Sequence, residues 1–210
     1  MSVRLPEFLR YAWPHRLYCA WRDGREVRAW ESRGKSGETP HAVKRGTALD
    51  YARRFGLKGF VETGTFRGEM VWACRERFAA IYSIEVDRAL CAAARAKFAR
   101  FPHIHILEGD SEKVLPELLA KLNERCLFWL DAHYCGPAAG RAASDTPILK
   151  ELEAIFAHPV PDHVVLVDDA RCFGTRPGYP TVDELRAFVL ARRPDWAVIV
   201  RDDIIQICGE

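Results

Sequence analysis

Between residues 59 and 192 short apolar runs alternate with longer segments of helical period, and few folds accommodate that alternation. The pattern predicts strands at 59–62, 80–86, 103–107, 126–131 and 163–167. Helices are expected between them at 68–78, 88–100, 111–123 and 146–156. The apolar run at 163–167 is bounded by charges, as in a strand buried on both faces. Thr181-Val182-Asp183-Glu184 is a capping box for a helix reaching residue 192, and 196–208 reads as two strands turning at Asp202-Asp203. Upstream, Thr39-Pro40 reads as an N-cap followed by proline at the first helical position, opening a helix that stops at Gly56. Repeated βα units require a parallel sheet covered by helices on both faces. The expected architecture is therefore α/β: a Rossmann-like, doubly wound, mostly parallel seven-stranded sheet with a C-terminal antiparallel hairpin strand and an N-terminal helical extension.

Ligands of such sheets bind outside the carboxyl ends of the strands, so the residues there should carry the chemistry. After the first strand stands Phe60-Val61-Glu62-Thr63-Gly64-Thr65-Phe66-Arg67-Gly68. Gly64 allows a sharp turn and close approach of a ligand, and Gly68 allows the next helix to pack close to the strand. Glu62 is the discriminating residue, because a carboxylate at this tip repels phosphate and welcomes a cation. Glu69 stands where the dinucleotide fingerprint needs a third glycine or alanine, and no Gly-Lys-Ser/Thr of a P-loop is present. S-adenosylmethionine (SAM), with an ammonium and a sulfonium, is the ligand whose charge suits the site. After the second strand Glu85 can accept both hydroxyls of a ribose. After the third, Asp110 has two readings, acceptor from an adenine amine or plain N-cap carboxylate, and Ser111 is expected to cap the following helix.

A length of 210 residues suits one domain, and 49% hydrophobic with 29% charged residues describes an ordinary globular protein. A net charge of +2 is too small to argue for nucleic acid, which is not expected as a partner. The basic surplus is local: residues 1–45 hold 10 Lys/Arg against 5 Asp/Glu. There Trp13, Tyr18, Trp21 and Trp30 interleave with Arg16, Arg22, Arg25 and Arg28, and Pro14 must break or kink any helix. This extension suits a lid, a homodimer contact, a stacking surface, a peripheral membrane contact or a segment docked on the domain at 46–210. No apolar run approaches about 18 residues, and no signal-peptide pattern opens the chain. The seven cysteines form no Cys-x-x-Cys pair and read as small buried hydrophobes of a reducing compartment, so the expected location is cytoplasmic.

Three acids at three successive strand ends, Glu62, Glu85 and Asp110, bring out a family resemblance. The chain from about residue 40 to 210 resembles the class I SAM-dependent methyltransferases: 62–68 matches their first motif, Glu85 their ribose-binding acid and Asp110 their adenine-side acid. Phe66 departs from the middle glycine of many members. The resemblance implies SAM as cofactor and Glu62, Thr63, Gly64, Gly68, Glu85, Asp110 and Ser111 as its binding residues.

The fourth and fifth strands end in Asp131-Ala132-His133-Tyr134 and Asp168-Asp169-Ala170-Arg171. Clustered buried carboxylates repel unless a cation sits among them, and Mg²⁺ is the expected occupant. The arrangement looks like the metal-dependent O-methyltransferases of the macrocin and cephalosporin-tailoring type. That likeness implies Asp131, Asp168 and Asp169 as metal ligands and Asp131 with His133 as catalytic residues, His133 being the general base toward a hydroxyl of a sugar or small natural product. Val61-Glu62-Thr63-Gly64-Thr65, Phe128-Trp129-Leu130-Asp131-x-His133-Tyr134, Asp168-Asp169-Ala170-Arg171 and Asp202-Asp203-Ile204-Ile205 are shared with a group of uncharacterised bacterial methyltransferase-like proteins. Two other function classes stay open: a Rossmann-type nucleotide-binding oxidoreductase, in which Glu85 would hold an NAD ribose, and a non-catalytic SAM-binding or assembly protein contacting partners through its aromatic and basic N-terminus.

Overall fold

A computed structural model describes residues 13–131 and 147–209. In chain order the elements are α1 (Trp13–Ser32), α2 (His41–Arg54), β1 (Gly59–Thr63), α3 (Glu69–Cys74), β2 (Ala80–Glu85), α4 (Arg88–Phe98), β3 (Ile104–Glu108), α5 (Ser111–Leu119), β4 (Cys126–Leu130), α6 (Ile148–Phe156), β5 (Val164–Val167), α7 (Val182–Arg192), β6 (Trp196–Arg201) and β7 (Ile204–Gly209). The seven strands form one sheet in the order β3-β2-β1-β4-β5-β7-β6. Only β7 runs against the rest, pairing antiparallel with both β5 and β6. The doubly wound sheet with its terminal hairpin is thus as expected. Its order reverses between β1 and β4, which opens a crevice at their carboxyl ends.

Alternation along the strands sorts the core into two layers. Phe60, Ile81, Leu127, Trp129 and Leu166 face α2, α3 and α4, meeting Ala48, Ala52, Val71, Cys91 and Phe98. Val61, Ile84, Phe128, Leu130 and Val165 face α5, α6 and α7, meeting Leu115, Leu152, Leu185 and Val189. Strands β1, β4 and β5 are buried along their whole length, as central parallel strands must be. Residues Cys74, Cys91, Cys126, Cys172 and Cys208 are buried thiols, as their apolar surroundings in the sequence suggest. No helix among the described residues is long and apolar enough to cross a membrane.

Several local expectations change. Pro40 itself occupies the N-cap of α2, while the Thr39 hydroxyl donates to the carbonyl of Asp202, 2.9 Å away, and so ties this loop to the β6–β7 turn. Pro14 lies in the first turn of α1 and does not interrupt it, because the first helical N–H groups need no intrahelical acceptor. Asp110, not Ser111, caps α5: its carboxylate accepts from Glu112 N, and Ser111 is the first helical residue. Helix α3 spans only Glu69–Cys74, and α5 stops at Leu119, short of the expected 78 and 123. The expected division at residue 45 falls inside α2, whose Ala48 and Ala52 lie in the core.

Gly68 shows why the turn into α3 needs glycine. Its φ is +64°, and a Cβ there would stand 2.7 Å from Cε2 of the buried Phe98 ring. Gly68→Ala is expected to destabilise by about 2–3 kcal/mol through backbone strain and the clash together. Urea unfolding should show a lower midpoint at unchanged slope; a loss under about 0.5 kcal/mol would mean that the ring gives way freely.

Candidate functional site

The loop leaving β1 is folded over the end of β2. Gly64 N and Thr65 N both donate to the carbonyl of Ile84, at 2.9 and 3.2 Å. Three residues of the loop adopt left-handed φ: Gly64 at 88°, Phe66 at 46° and Gly68 at 64°. Phe66 therefore takes the conformation that glycine would supply at this position, and its backbone N–H donates to Glu85 Oε2 at 2.7 Å. The other Glu85 oxygen accepts from Asp87 N at 2.9 Å. A carboxylate has about four lone-pair sites, so Glu85 can brace the loop and still accept two ligand hydroxyls.

Beneath the loop runs a buried polar chain. The Ser83 hydroxyl donates to Glu62 Oε2, and the Thr65 and Ser83 hydroxyls are 2.6 Å apart. Glu62 is 3% exposed. Burial pushes its carboxyl well above the usual range against the Ser83 hydrogen bond, and Asp131 and Glu85 push the same way. A ligand cation beside Glu62 would reverse that. On the opposite sheet face, Glu151 of α6 is buried next to Ser111 and Thr63; burial raises its carboxyl to about 7, while the two hydroxyls lower it. The Thr63 hydroxyl lies near Glu151 but does not reach hydrogen-bond geometry, and it and Glu151 Oε1 both lack a hydrogen-bond partner.

The tips of β4 and β5 extend the same edge. Asp131 N donates to Thr63 O and Asp168 N to Leu130 O, each at 3.0 Å, so the sheet hydrogen bonding continues through the acids that follow the strands. Asp131, Asp168 and Glu62 lie on the α2 side by strand alternation, as expected for convergent carboxylates. The cation beside Asp168 is a side chain. Lys44 of α2 reaches across to Asp168 Oδ2 at 2.6 Å and to Asp169 Oδ1 at 3.4 Å. Burial opposes the Lys44 charge, yet Asp168, Asp169 and Asp131 together hold its pKa above the ordinary value. Burial, then Asp131, pushes Asp168 upward, with Lys44 opposing.

Asp169, at φ 55°, turns the chain back so that Arg171 Nη1 donates to Asp169 Oδ1 at 2.8 Å and to Asp203 Oδ2. Asp203 Oδ1 accepts from Arg171 N at 2.7 Å. The Asp-Asp-Ala-Arg and Asp-Asp-Ile-Ile stretches are thereby one structural unit.

The expected Mg²⁺ does not fit this donor set. Asp168 Oδ1 accepts from Asp169 N at 2.8 Å, its Oδ2 meets Lys44, and Asp169 Oδ1 meets Arg171. An ion needing oxygens at about 2.1 Å in octahedral array would have to displace an ammonium already among them. No group of three or more potential ligands among the described residues is arranged to hold a metal. The carboxylates do need a cation, as their sequence suggests, but the need is met from 124 positions away. Lys44 left one trace in the sequence: with Ala48 and Ala52 it forms the buried stripe of α2 at a spacing of four, an odd place for a charge. Ser83 and Thr65 left none beyond being polar in apolar surroundings. His133 lies outside the described residues.

Solved structures share this architecture. A methyltransferase from Podospora anserina, PaMTH1, bound to S-adenosylhomocysteine (SAH), superposes with a TM-score of 0.57 at 18% identity, covering 100% of both chains. The O-methyltransferase TomG from Streptomyces achromogenes, involved in tomaymycin synthesis and bound to SAM, gives 0.59 at 19% identity over 89% of this chain and 87% of its own. An O-methyltransferase from Bacillus cereus with SAH gives 0.59 at 12% identity, covering 89% and 90%. The fold is that of the class I SAM-dependent methyltransferases. The 23S rRNA methyltransferase ErmE shares it too, at TM-score 0.50, 16% identity and coverage of 79% and 68%. No protein-family model and no curated protein sequence matches the chain. The tips of β1 and β2 carry Glu62 and Glu85, and those of β4 and β5 are followed by Asp131 and Asp168, with Lys44 beside Asp168.

Proposed function

We propose that the chain is a SAM-dependent O-methyltransferase acting on a hydroxyl of a sugar or other small natural product. The observation that carries the reading is the row of acids at the tips of β1, β2, β4 and β5, with Glu62 buried beside other carboxylates. Bound SAM supplies a methyl group made electrophilic by the sulfonium. Glu62 and the turn at Gly64 would receive its cationic end, Glu85 its ribose hydroxyls, and Asp110 and Ser111 the adenine side. Asp110 retains lone pairs beyond its capping bond, so the cap and the adenine contact are compatible.

At the other end Asp131 and Asp168 offer acceptor oxygens that would orient a substrate hydroxyl, and orientation is the main contribution a protein makes to such a transfer. His133, two positions past Asp131, is the base we propose for the hydroxyl proton. The acidic wall disfavours phosphate-bearing acceptors, which separates this reading from RNA methylation. NAD is disfavoured by the same charge, since its pyrophosphate would approach Glu62.

Calorimetric titration of the chain with SAM, SAH and NAD tests the reading. One-to-one binding of SAM and SAH without heat from NAD is expected. Absence of SAM binding, or NAD binding of comparable strength, overturns it.

A further inference from the structure

We infer that Lys44 is the resident cation of the acidic cluster, a positioning residue that takes the place a divalent ion would hold and makes α2 part of the acceptor wall. The inference begins with burial. Lys44 is 8% exposed, Asp168 5% and Asp169 6%. Removing an ammonium or a carboxylate from water costs several kcal/mol unless each is matched by opposite charge at short range. Neither partner has a reason to be buried alone, and the 2.6 Å contact between them is the reason for both.

The placement is rigid. Helix α2 is anchored through Ala48 and Ala52, one and two turns below Lys44, both fully buried against the sheet. Tyr51 of the same helix donates to Gln206 Oε1 of β7 at 2.7 Å, which prevents α2 from sliding along the sheet. The ammonium is therefore delivered to one point. There it spans Asp168 and Asp169, while Arg171 reaches the same Asp169 oxygen at 2.8 Å.

Asp131 also supports the Lys44 charge, and the exposed Glu38 stands 4.0 Å away, beyond hydrogen-bond reach. Among the described residues two of the three ammonium donors go to Asp168 and Asp169. A fixed ammonium balances the cluster whether or not divalent ions are present. It also orients Asp168 without the exchangeable waters that Mg²⁺ carries.

The test is a Mn²⁺ titration followed by the electron paramagnetic resonance signal of free Mn²⁺, on the full chain. Wild type should leave the signal on the protein-free line. Lys44→Met, which exposes the aspartates to each other, should bind Mn²⁺ at least about tenfold more tightly than wild type. Lys44→Met/Asp168→Asn should lose that gain, and Lys44→Arg should behave as wild type. Should Lys44→Met fail to fold, recovery of a cooperative thermal transition in Lys44→Met/Asp168→Asn supports the pairing, and failure to recover overturns it. Tight Mn²⁺ binding to wild type that Asp168→Asn abolishes overturns the inference. So does a folded Lys44→Met variant that binds no more Mn²⁺ than wild type. The readout involves no methyl transfer, so its failure and that of the proposed function are distinguishable.

Discussion

Glu85→Ala is expected to lower SAM affinity by about a hundredfold or more, the largest loss from any single change at the cofactor end. Two effects add. The substitution would remove the acceptor proposed for two ribose hydroxyls, and hydrogen bonds to a charged group contribute about 1.5–3 kcal/mol each. It also orphans the backbone N–H groups of Phe66 and Asp87, which Glu85 now accepts at 2.7 and 2.9 Å. Phe66 is a non-glycine residue at φ 46°, a conformation costing about 1–3 kcal/mol that persists only while its surroundings hold it. Without Glu85 the loop should relax away from the shape that meets the ligand. Glu85→Gln keeps an acceptor oxygen and should lose less. Calorimetry on both variants checks the order; affinity within about threefold of wild type for Glu85→Ala would remove Glu85 from the cofactor site.

At the other end of the crevice, Lys44→Ala is expected to cost about 3 kcal/mol of stability, because it strands a buried carboxylate. Lys44→Ala/Asp168→Asn removes both charges and should recover most of that loss, giving a coupling energy of comparable size in a double-mutant cycle. The pH dependence carries a definite sign. In Lys44→Ala the Asp168 carboxyl loses the ammonium that opposes its upward shift, so the folded state holds a proton that the unfolded state, titrating near about 3.9, has released. Stability then falls as pH rises from about 4 through the raised folded value, and the damage grows with pH. Urea unfolding at acidic and neutral pH measures this directly. An equal loss at both would indicate that packing of the lysine stem, not its charge, is what matters.

Much of this arrangement could be read from residue order because it depends on local periodicity. The apolar runs mark the strands, and the tip rule singles out the acids that follow them, Glu62, Asp131 and Asp168. The Thr181 to Glu184 capping box is present with both of its reciprocal hydrogen bonds, since it too is a local device. What escaped was tertiary. Lys44 meets Asp168 across 124 positions, and no spacing rule links them. Ser83 joins Glu62 and Thr65 only because β2 lies in parallel register with β1, Glu62 opposite Ser83. Helix α3 ends early despite a favourable pattern, as the chain must return at once to begin β2 at Ala80. The acids' need for positive charge is legible in the sequence; that Lys44 stands among them is not.

The turn at Asp202-Asp203 bears on the order in which the chain assembles during synthesis. Both residues are left-handed, at φ 53° and 60°, and between them they accept from Lys35, Thr39 and Arg171. Everything the β1 and β2 tips need has left the ribosome well before this turn is made. The turn joins the loop before α2 to the stretch after β5, and that link forms only once residues 202–203 are made, seconds after the β1 and β2 tips at about 5–20 residues per second. The contact that ties the loop before Lys44 to the Asp168-Asp169 turn therefore forms later in chain order than the β1 and β2 tips, which it leaves untouched.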